Sequence, residues 1–279
     1  MSARRGDVLY LRMLNALTGE FREMVQEQVD YGALMLRLAQ RDLLLRYKQA
    51  LMGVAWAVFT PLLNTLIFTV IFTRVARVHT DVPYPVFAYC GLLAWNFTAS
   101  ALKGSVMSLS SNSTLVTKVY FAREVFPFAA IVVSLVDLLV ASGVLAGLML
   151  YYHIPAHWTL LFVPVILLVQ IVFTAALGLA LAMANLFYRD VKYIFEVVVT
   201  VWMFASSVVY PIDLVGGRLQ QILRFNPMTP IIDGYRATIL RGTLPPVGEF
   251  AVTAAASVVL LMISWLVFHR SEFDFAENV

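Results

Sequence analysis

Residues 41–64 read RDLLLRYKQALMGVAWAVFTPLLN. In the first half of this stretch, leucine and alanine side chains repeat at helical spacing and share one face, while basic and other polar side chains spread over the opposite face. After Gly53 the stretch becomes almost purely apolar. The pattern predicts an amphipathic interface helix over residues 34–53 that leads directly into a membrane span.

The composition of the whole chain is that of an integral membrane protein. Of its 279 residues, 61% are hydrophobic and only 13% are charged, compared with about 25% charged in an average soluble domain. A helix needs about 20 mostly apolar residues to cross a bilayer, where it satisfies its own backbone hydrogen bonds. We therefore predict an all-α membrane protein with six spanning helices, at about residues 54–75, 85–106, 126–151, 158–187, 194–210 and 250–268.

The distribution of basic residues predicts the orientation of these spans. An even number of spans places both termini on one side, and 14 of the 20 Lys and Arg residues then fall on that side. Short loops rich in Lys and Arg stay in the cytoplasm. We therefore expect both termini to be cytoplasmic, with residues 1–33 as a cytoplasmic extension and residues 34–279 as the transmembrane domain.

The segment between the fifth and sixth predicted spans, residues 211–249, does not look like a plain loop. It carries short apolar patches broken at Asn226-Pro227 and at Pro230, and each patch is too short to cross a bilayer. Such patches form re-entrant helices where other helices surround them, or a lid on the outer face. The sequence leaves both alternatives open.

Familiar catalytic and metal-binding motifs are missing from the sequence. A P-loop needs a Gly-Lys pair, and none occurs in the chain; the four histidines stand at predicted span ends and form no metal-binding pair. Asp137 lies deep in the third predicted span, where polar residues mark function by default. A proton relay needs several such groups, so a paired structural carboxylate is the favoured interpretation. We expect no catalytic residue, metal or cofactor on this chain.

Aromatic residues are frequent in the first, second and fifth predicted spans. Rings around a pore would offer flat apolar surfaces to sugars, whereas rings that face lipid or the core would only stabilise the bundle. The candidates for a pore lining are Trp56, Phe59, Phe68, Phe72, Trp202, Phe204 and Tyr210.

Five stretches, in order along the chain, resemble the membrane permeases of type-2 ABC exporters for polysaccharides, the family that exports O-antigen, capsule and teichoic acid chains. They are the opening stretch (41–63), LVTKVYFAREVFPFA (115–129), NLFYRDVKYI (185–194), YPIDLVGGRLQQILRFNPMTPIIDGYRATILRG (210–242) and FHRSEFDFAENV (268–279). The resemblance implies a pore-forming transport subunit of the bacterial inner membrane, not an enzyme. Its substrate would be an O-antigen-like polysaccharide, of the kind found in lipopolysaccharide, carried on undecaprenyl pyrophosphate.

The same resemblance implies partners and site residues. The permease would act as a homodimer with two copies of an ATP-binding subunit that holds ATP and Mg, in contact with membrane lipids and with no nucleic acid. Coupling contacts with that subunit would come from Lys118, Tyr120, Arg123, Glu124, Arg189, Asp190 and Lys192. The external gate would include Asn226, Pro227, Tyr235 and Arg236. The pyrophosphate, or simply lipid headgroups, would meet Arg37, Arg41, Arg46 and Lys48.

Two other functions remain open at this point. A type-2 exporter of a drug or lipid would share the fold. A membrane-embedded glycan-modifying enzyme, a protein of another class, would need clustered carboxylates or histidines at one membrane face, and the sequence shows no such cluster.

Overall fold

The computed structural model describes residues 19–48, 52–53, 55–75, 77–118 and 121–271, and the regular structure in these ranges is entirely helical. This confirms the predicted all-α class. The helices are α1 (19–30), α2 (Gly32–Tyr47), α3 (Ala55–Val70), α4 (Tyr84–Ser108), α5 (Ser113–Lys118), α6 (Val125–Tyr151), α7 (Val163–Phe187), α8 (Val191–Phe204), α9 (Gly217–Arg224), α10 (Met228–Arg236) and α11 (Val247–Ser271). Of the predicted extension over residues 1–33, residues 1–18 lie outside the described part.

Five helical segments of the described chain are long and apolar enough to cross a membrane. Each lies within a few residues of a predicted span. The segments are Ala55–Val75, Tyr84–Ser108, Val125–Tyr151, Trp158–Phe187 and Val247–Ser271. The first ends in a π-helical turn, Ile71–Val75, and the fourth begins with a 3₁₀ turn, Trp158–Phe162.

The fifth predicted span, residues 194–210, differs from the structure. The helix here is α8, which has 14 residues and is therefore about 21 Å long, whereas a hydrocarbon core is about 30 Å thick. The helix ends at Phe204, and the chain turns through Ala205, Ser206 and Ser207. Tertiary contacts hold this turn, because the side chain of Arg236 binds the carbonyls of Ser207 and Val208 and the side-chain amide of Asn226 binds that of Ala205. The count of six spans stays a prediction.

α4 is the central helix of the bundle. It contacts α3, α6, α7, α8 and α10, while α11 packs along α7. Most α4 residues are buried. In contrast, α3 packs chiefly on α4 and α6 and leaves most of its apolar surface exposed. The core of the chain therefore lies around α4, with α3 at its margin.

α2 occupies most of the predicted interface helix, 34–53. It packs against α6, and its buried positions are Leu38 and Ala39. Gly53 adopts a left-handed backbone conformation with φ of 52° just before α3 begins, a conformation that favours glycine. A turn therefore separates α2 from the first span.

The segment over residues 211–249 contains two helices with opposite surroundings. The surface of α9 is largely exposed, whereas α10 and the π-helical turn that follows it, Ala237–Arg241, are almost completely buried. α10 packs against α4, α7 and α11. Of the two alternatives for this segment, a lid on the surface does not describe α10, which is part of the core.

Candidate functional site

The interface helix α2 is tied to the third span by a charged pair. The Arg46 guanidinium lies 2.6 Å from Oδ2 of Asp137, and the Tyr47 hydroxyl donates a 2.5 Å hydrogen bond to Oδ1 of the same carboxylate. Burial, and then the hydrogen bond to Asp137, raise the pKa of Tyr47 to about 12. Asp137 is thus a paired carboxylate at the joint between α2 and α6, as the structural interpretation predicted.

A cavity of about 350 Å³ opens beside this joint. Arg46, Tyr47 and Asp137 form its polar end. Its remaining wall is mostly apolar and comes from α3, α4 and α6, with Trp56 and Phe97 among its aromatic members. Such a cavity suits a molecule with one polar and one apolar end.

The outer face of α2 forms a shallow basic groove. Arg37, Arg41 and Lys48 line it together with Leu44 and Leu45. Arg41 also donates a 2.9 Å hydrogen bond to Oδ1 of Asn112, which lies just before α5. The predicted interface cations therefore fall into two groups, because Arg46 points to Asp137 while the other three line the groove.

The predicted coupling loop between α4 and α6 contains the short helix α5. The side chain of Lys118 and the whole of Tyr120 lie outside the described residues, and Arg123 is half-buried. The coupling contact that the resemblance implies for Glu124 needs an exposed side chain, but the side chain of Glu124 is only 1% exposed. It turns inward because Nδ1 of His269, in α11, lies 3.1 Å from its Oε1. The structure therefore corrects the surface contact predicted for Glu124.

The second predicted coupling segment lies beside the first. Arg189 and Lys192 line a groove of about 290 Å³ together with Ser110 and Ser113, at the start of α5. Asp190, at the start of α8, is exposed. Two segments that are far apart in sequence thus meet in one polar groove with a positively charged rim.

The seven candidate pore aromatics divide into inward and outward groups. Phe68 packs on Phe72, whose ring stacks on Tyr84 at 5.8 Å. Trp202 packs edge-on against Trp95 at 5.4 Å, in the core around α4. These three rings are partly buried and pack against the core of the single chain, where the first span and α8 meet α4.

The other four candidates have less contact with the core. Trp56, Phe59 and Phe204 are 45%, 38% and 50% exposed. Tyr210 is partly buried and donates a 2.6 Å hydrogen bond to the carbonyl of Phe204. Trp56, Phe59 and Phe204 are the exposed rings among the seven candidates, and the pore lining stays a prediction.

Asn226 joins the end of α8 to the start of α10. Its side-chain amide donates to the carbonyl of Ala205 at 2.8 Å, and its carbonyl oxygen accepts from Nε1 of Trp202 at 3.0 Å and from the backbone N–H of Met228 at 3.1 Å. Pro227 follows and caps α10. Asn226 and Pro227 therefore set the direction in which α10 enters the core.

Tyr235 and Arg236 hold α10 inside the bundle. The Tyr235 hydroxyl donates a 2.9 Å hydrogen bond to the buried side chain of Gln170, whose amide in turn donates to the carbonyl of Ala94 at 2.7 Å. The Arg236 guanidinium donates to the carbonyls that follow α8 and lies 3.6 Å from the centre of the Phe87 ring. These two predicted gate residues link α10 to α4, α7 and the turn after α8.

A family model described as "ABC-2 type transporter" matches residues 33–240. The chain belongs to the ABC-2 transporter family. An O-antigen export system permease protein RfbA of Myxococcus xanthus is 31% identical over 92% of this chain and 99% of its own length.

Other relatives of this ABC-2 protein are more distant. An RfbA permease of Klebsiella pneumoniae is 26% identical over 88% of this chain and 94% of its own length. The polysialic acid transport protein KpsM of Escherichia coli is 22% identical over 88% of this chain and 95% of its own length. The chain is therefore a multi-pass membrane protein of a transport family whose permeases act with an ATP-binding subunit.

One cluster in this ABC-2 protein could not be found from sequence. Glu27, Glu124 and His269 offer ligand atoms that all lie within 4.8 Å of one another. They come from α1, the turn before α6 and the end of α11. No local spacing connects residues so far apart, so the sequence carried no signal for the cluster.

Proposed function

We propose that this chain is the membrane permease subunit of an ATP-driven exporter of an O-antigen-like polysaccharide. The observation that carries the proposal is its similarity, over 92% of its length, to a permease named for O-antigen export. The similarity to a polysialic acid transport protein supports the same substrate class. By this proposal the chain lies in the bacterial inner membrane with both termini in the cytoplasm, as the excess of Lys and Arg on that side indicates.

The groove that contains Arg189 and Lys192 is the proposed docking site for the ATP-binding subunit. It brings the start of α5 next to the start of α8, so one docked element would push on both. A separate subunit would bind ATP and Mg and hydrolyse the nucleotide, since this chain has no P-loop. The groove is basic, and we expect an acidic or mixed-charge element in the partner.

Two polar contacts would transmit motion from that groove to the spans. Arg41 links α2 to Asn112, next to α5, and Arg46 links α2 to Asp137 in α6. Because a packed helix moves as a rigid body, displacement of α5 would shift α2 and, through Asp137, the third span. In this mechanism α2 is a lever between the coupling loop and the bundle.

The pore is proposed to form between two copies of the chain. α3 and α8 both turn apolar side chains outward, with Leu66 and Ile67 60% and 53% exposed and Val197 and Val201 66% and 63% exposed. A second copy would cover part of this surface. The outward rings of Trp56, Phe59 and Phe204 would then be placed to contact sugar faces.

The carrier lipid is proposed to meet α2 at the cytoplasmic side. Arg37, Arg41 and Lys48 line an open groove, and guanidinium groups bind phosphate oxygens in a bidentate manner. Arg46 lies outside this groove and pairs with Asp137, whereas Arg41 lines the groove and also contacts Asp42 and Asn112. Undecaprenyl pyrophosphate would thus be recognised by the groove, and its apolar chain would remain in lipid.

The function is tested in the source bacterium by deletion of the gene. Glycan on the cell surface and glycan retained on the lipid carrier inside the cell are measured separately. We expect surface polysaccharide to disappear and carrier-linked polysaccharide to accumulate, and a plasmid copy to reverse both effects. Unchanged surface glycan together with altered resistance to drugs would support the drug-exporter alternative instead.

The docking groove is tested with charge reversals in the plasmid copy. Arg189→Glu combined with Lys192→Glu should reduce the amount of ATP-binding subunit that co-purifies with the chain, and should reduce export in parallel. Arg218→Glu is the matched control because Arg218 is an exposed cation in α9, on the predicted external side. Normal co-purification of the double variant would remove the docking role from this groove.

A further inference from the structure

Three potential metal ligands meet where the ends of three helices come together. Glu27 lies in α1, Glu124 lies immediately before α6, and His269 lies in the last turn of α11. One ligand atom from each lies within 4.8 Å of the other two, and the contact between Nδ1 of His269 and Oε1 of Glu124 measures 3.1 Å. The cluster has no part in the transport mechanism proposed above.

The carboxylate of Glu124 lacks a partner on one side. Its side chain is only 1% exposed, and within the described structure its Oε2 atom is buried with no hydrogen-bond partner. A buried charged oxygen that is left unpaired is costly, and native proteins normally satisfy such atoms. The atom therefore points to a ligand that the protein itself does not supply.

The charges of the cluster favour a cation. Two carboxylates with one imidazole carry an excess of negative charge, whether or not the imidazole is protonated. A divalent cation would relieve the repulsion between the two carboxylates. It would also offset the cost of burying their charges.

The ligand set and spacing fit a borderline transition metal. Zinc takes imidazole nitrogen and carboxylate oxygen ligands at about 2.0–2.2 Å, usually in tetrahedral geometry, so neighbouring ligand atoms lie about 3.4 Å apart. The 3.1 Å contact is already close to this separation. The carboxylate oxygen of Glu27 lies within 4.8 Å of the other two ligand atoms. A small rotation of this side chain would bring the oxygen to the same separation.

We propose that Glu27, Glu124 and His269 bind one Zn²⁺ ion, or a similar borderline divalent cation, which joins α1 to the start of α6 and the end of α11. Three protein ligands leave a fourth position for water. The site would be structural, because the side chain of Glu124 is only 1% exposed. The proposal does not depend on what the chain transports.

Zinc binding is tested on the full chain purified with its co-expressed partner subunits, using an affinity tag that contains no histidine. After treatment with a chelator and its removal, the protein competes with a chromophoric chelator for added Zn²⁺. We expect the wild-type complex to bind one more zinc ion per permease chain than the Glu27→Gln complex, or to bind that ion at least tenfold more tightly. Added Co²⁺ should give a d–d absorption band in the wild type that Glu27→Gln weakens.

Glu23→Gln is the matched control for this experiment. Glu23 lies in the same helix, one turn before Glu27, and is exposed. Its complex should bind zinc as the wild type does. Equal zinc affinity in the wild-type and Glu27→Gln complexes would overturn the proposal. The three side chains would then form a hydrogen-bonded cluster without a metal. If Glu27→Gln does not fold, zinc must still raise the thermal stability of the wild type in a concentration-dependent way, and no such rise would also overturn it.

Discussion

Substitution of Arg236 by methionine separates an anchoring role from a gating role. The guanidinium is 1% exposed and donates hydrogen bonds of 2.5 Å to the carbonyls of both Ser207 and Val208. Methionine would fill a similar volume but leave both buried carbonyls without this donor. Each unsatisfied buried acceptor costs about 1–3 kcal/mol, so the expected loss of stability is about 4 kcal/mol, before the lost contact with the Phe87 ring is counted.

The single cysteine of the chain makes the measurement direct. Cys90 is buried next to this site in α4, so a thiol-reactive fluorogenic dye reports its exposure as the protein unfolds on heating. In a chain of this size, each kcal/mol of lost stability lowers Tm by about 2–4 °C. We therefore expect Arg236→Met to lower Tm by roughly 10 °C. Arg236→Lys keeps the charge but has no planar fork to reach both carbonyls, and should lower Tm by about half as much.

The control for Arg236 is an exposed arginine of the same segment. Arg241 lies 3.3 Å from Asp81, and the two side chains are 44% and 76% exposed, so Arg241→Met should have a small effect on Tm. If Arg236→Met unfolds at the wild-type temperature and yet stops transport, then Arg236 acts as a gate and the anchoring argument is refuted.

Three further predictions concern the same bundle. Gly91→Ala should destabilise the chain by about 2 kcal/mol in the same dye assay, because an added Cβ would collide with the carbonyl of Val208 and with the Arg236 side chain; a wild-type Tm would show that the turn after α8 can move away. Gln170→Leu should cost about 3 kcal/mol, since it removes the partners of Tyr235 and of the Ala94 carbonyl, and Gln170→Glu, which keeps an acceptor, should retain part of this stability. A double-mutant cycle of Arg46→Ala and Asp137→Ala should give a coupling free energy of only about 1 kcal/mol, because both side chains are partly exposed. Each single change should nevertheless reduce transport more than it reduces Tm. If the two changes are strictly additive in both transport and Tm, α2 does not act as a lever.

The spans were predictable from sequence because lipid imposes a simple demand. A helix that crosses the hydrocarbon core needs an apolar run of about 20 residues, and such runs can be read without knowledge of neighbours. The end of α8 shows where this reading fails. Apart from Ser206 and Ser207, the residues after Phe204 are still apolar. The contacts that hold the turn come from Asn226 and Arg236, which lie 21 positions after Ala205 and 29 positions after Ser207.

The candidate site was predicted less completely than the fold. Charge and position correctly marked Asp137 as a paired carboxylate, but its partner Arg46 is 91 positions away, and periodicity detects only neighbours within one helix. For Glu124 the sequence predicted exposure, since a charged residue in a short loop normally faces solvent, and this prediction was wrong. Its partner His269 is 145 positions away, so the inward orientation depends on the tertiary fold.

The burial of α4 has a consequence for how the protein is made. Among the five candidate spans of the described chain, α4 is the least apolar and the most enclosed by protein, so it gains the least from lipid when it leaves the ribosome. Its neighbours α6 and α7 are synthesised later and have more apolar sequences. Stable insertion of α4 should therefore wait for them, and truncation of the nascent chain before α6 should leave α4 poorly inserted while α3 is already in the bilayer.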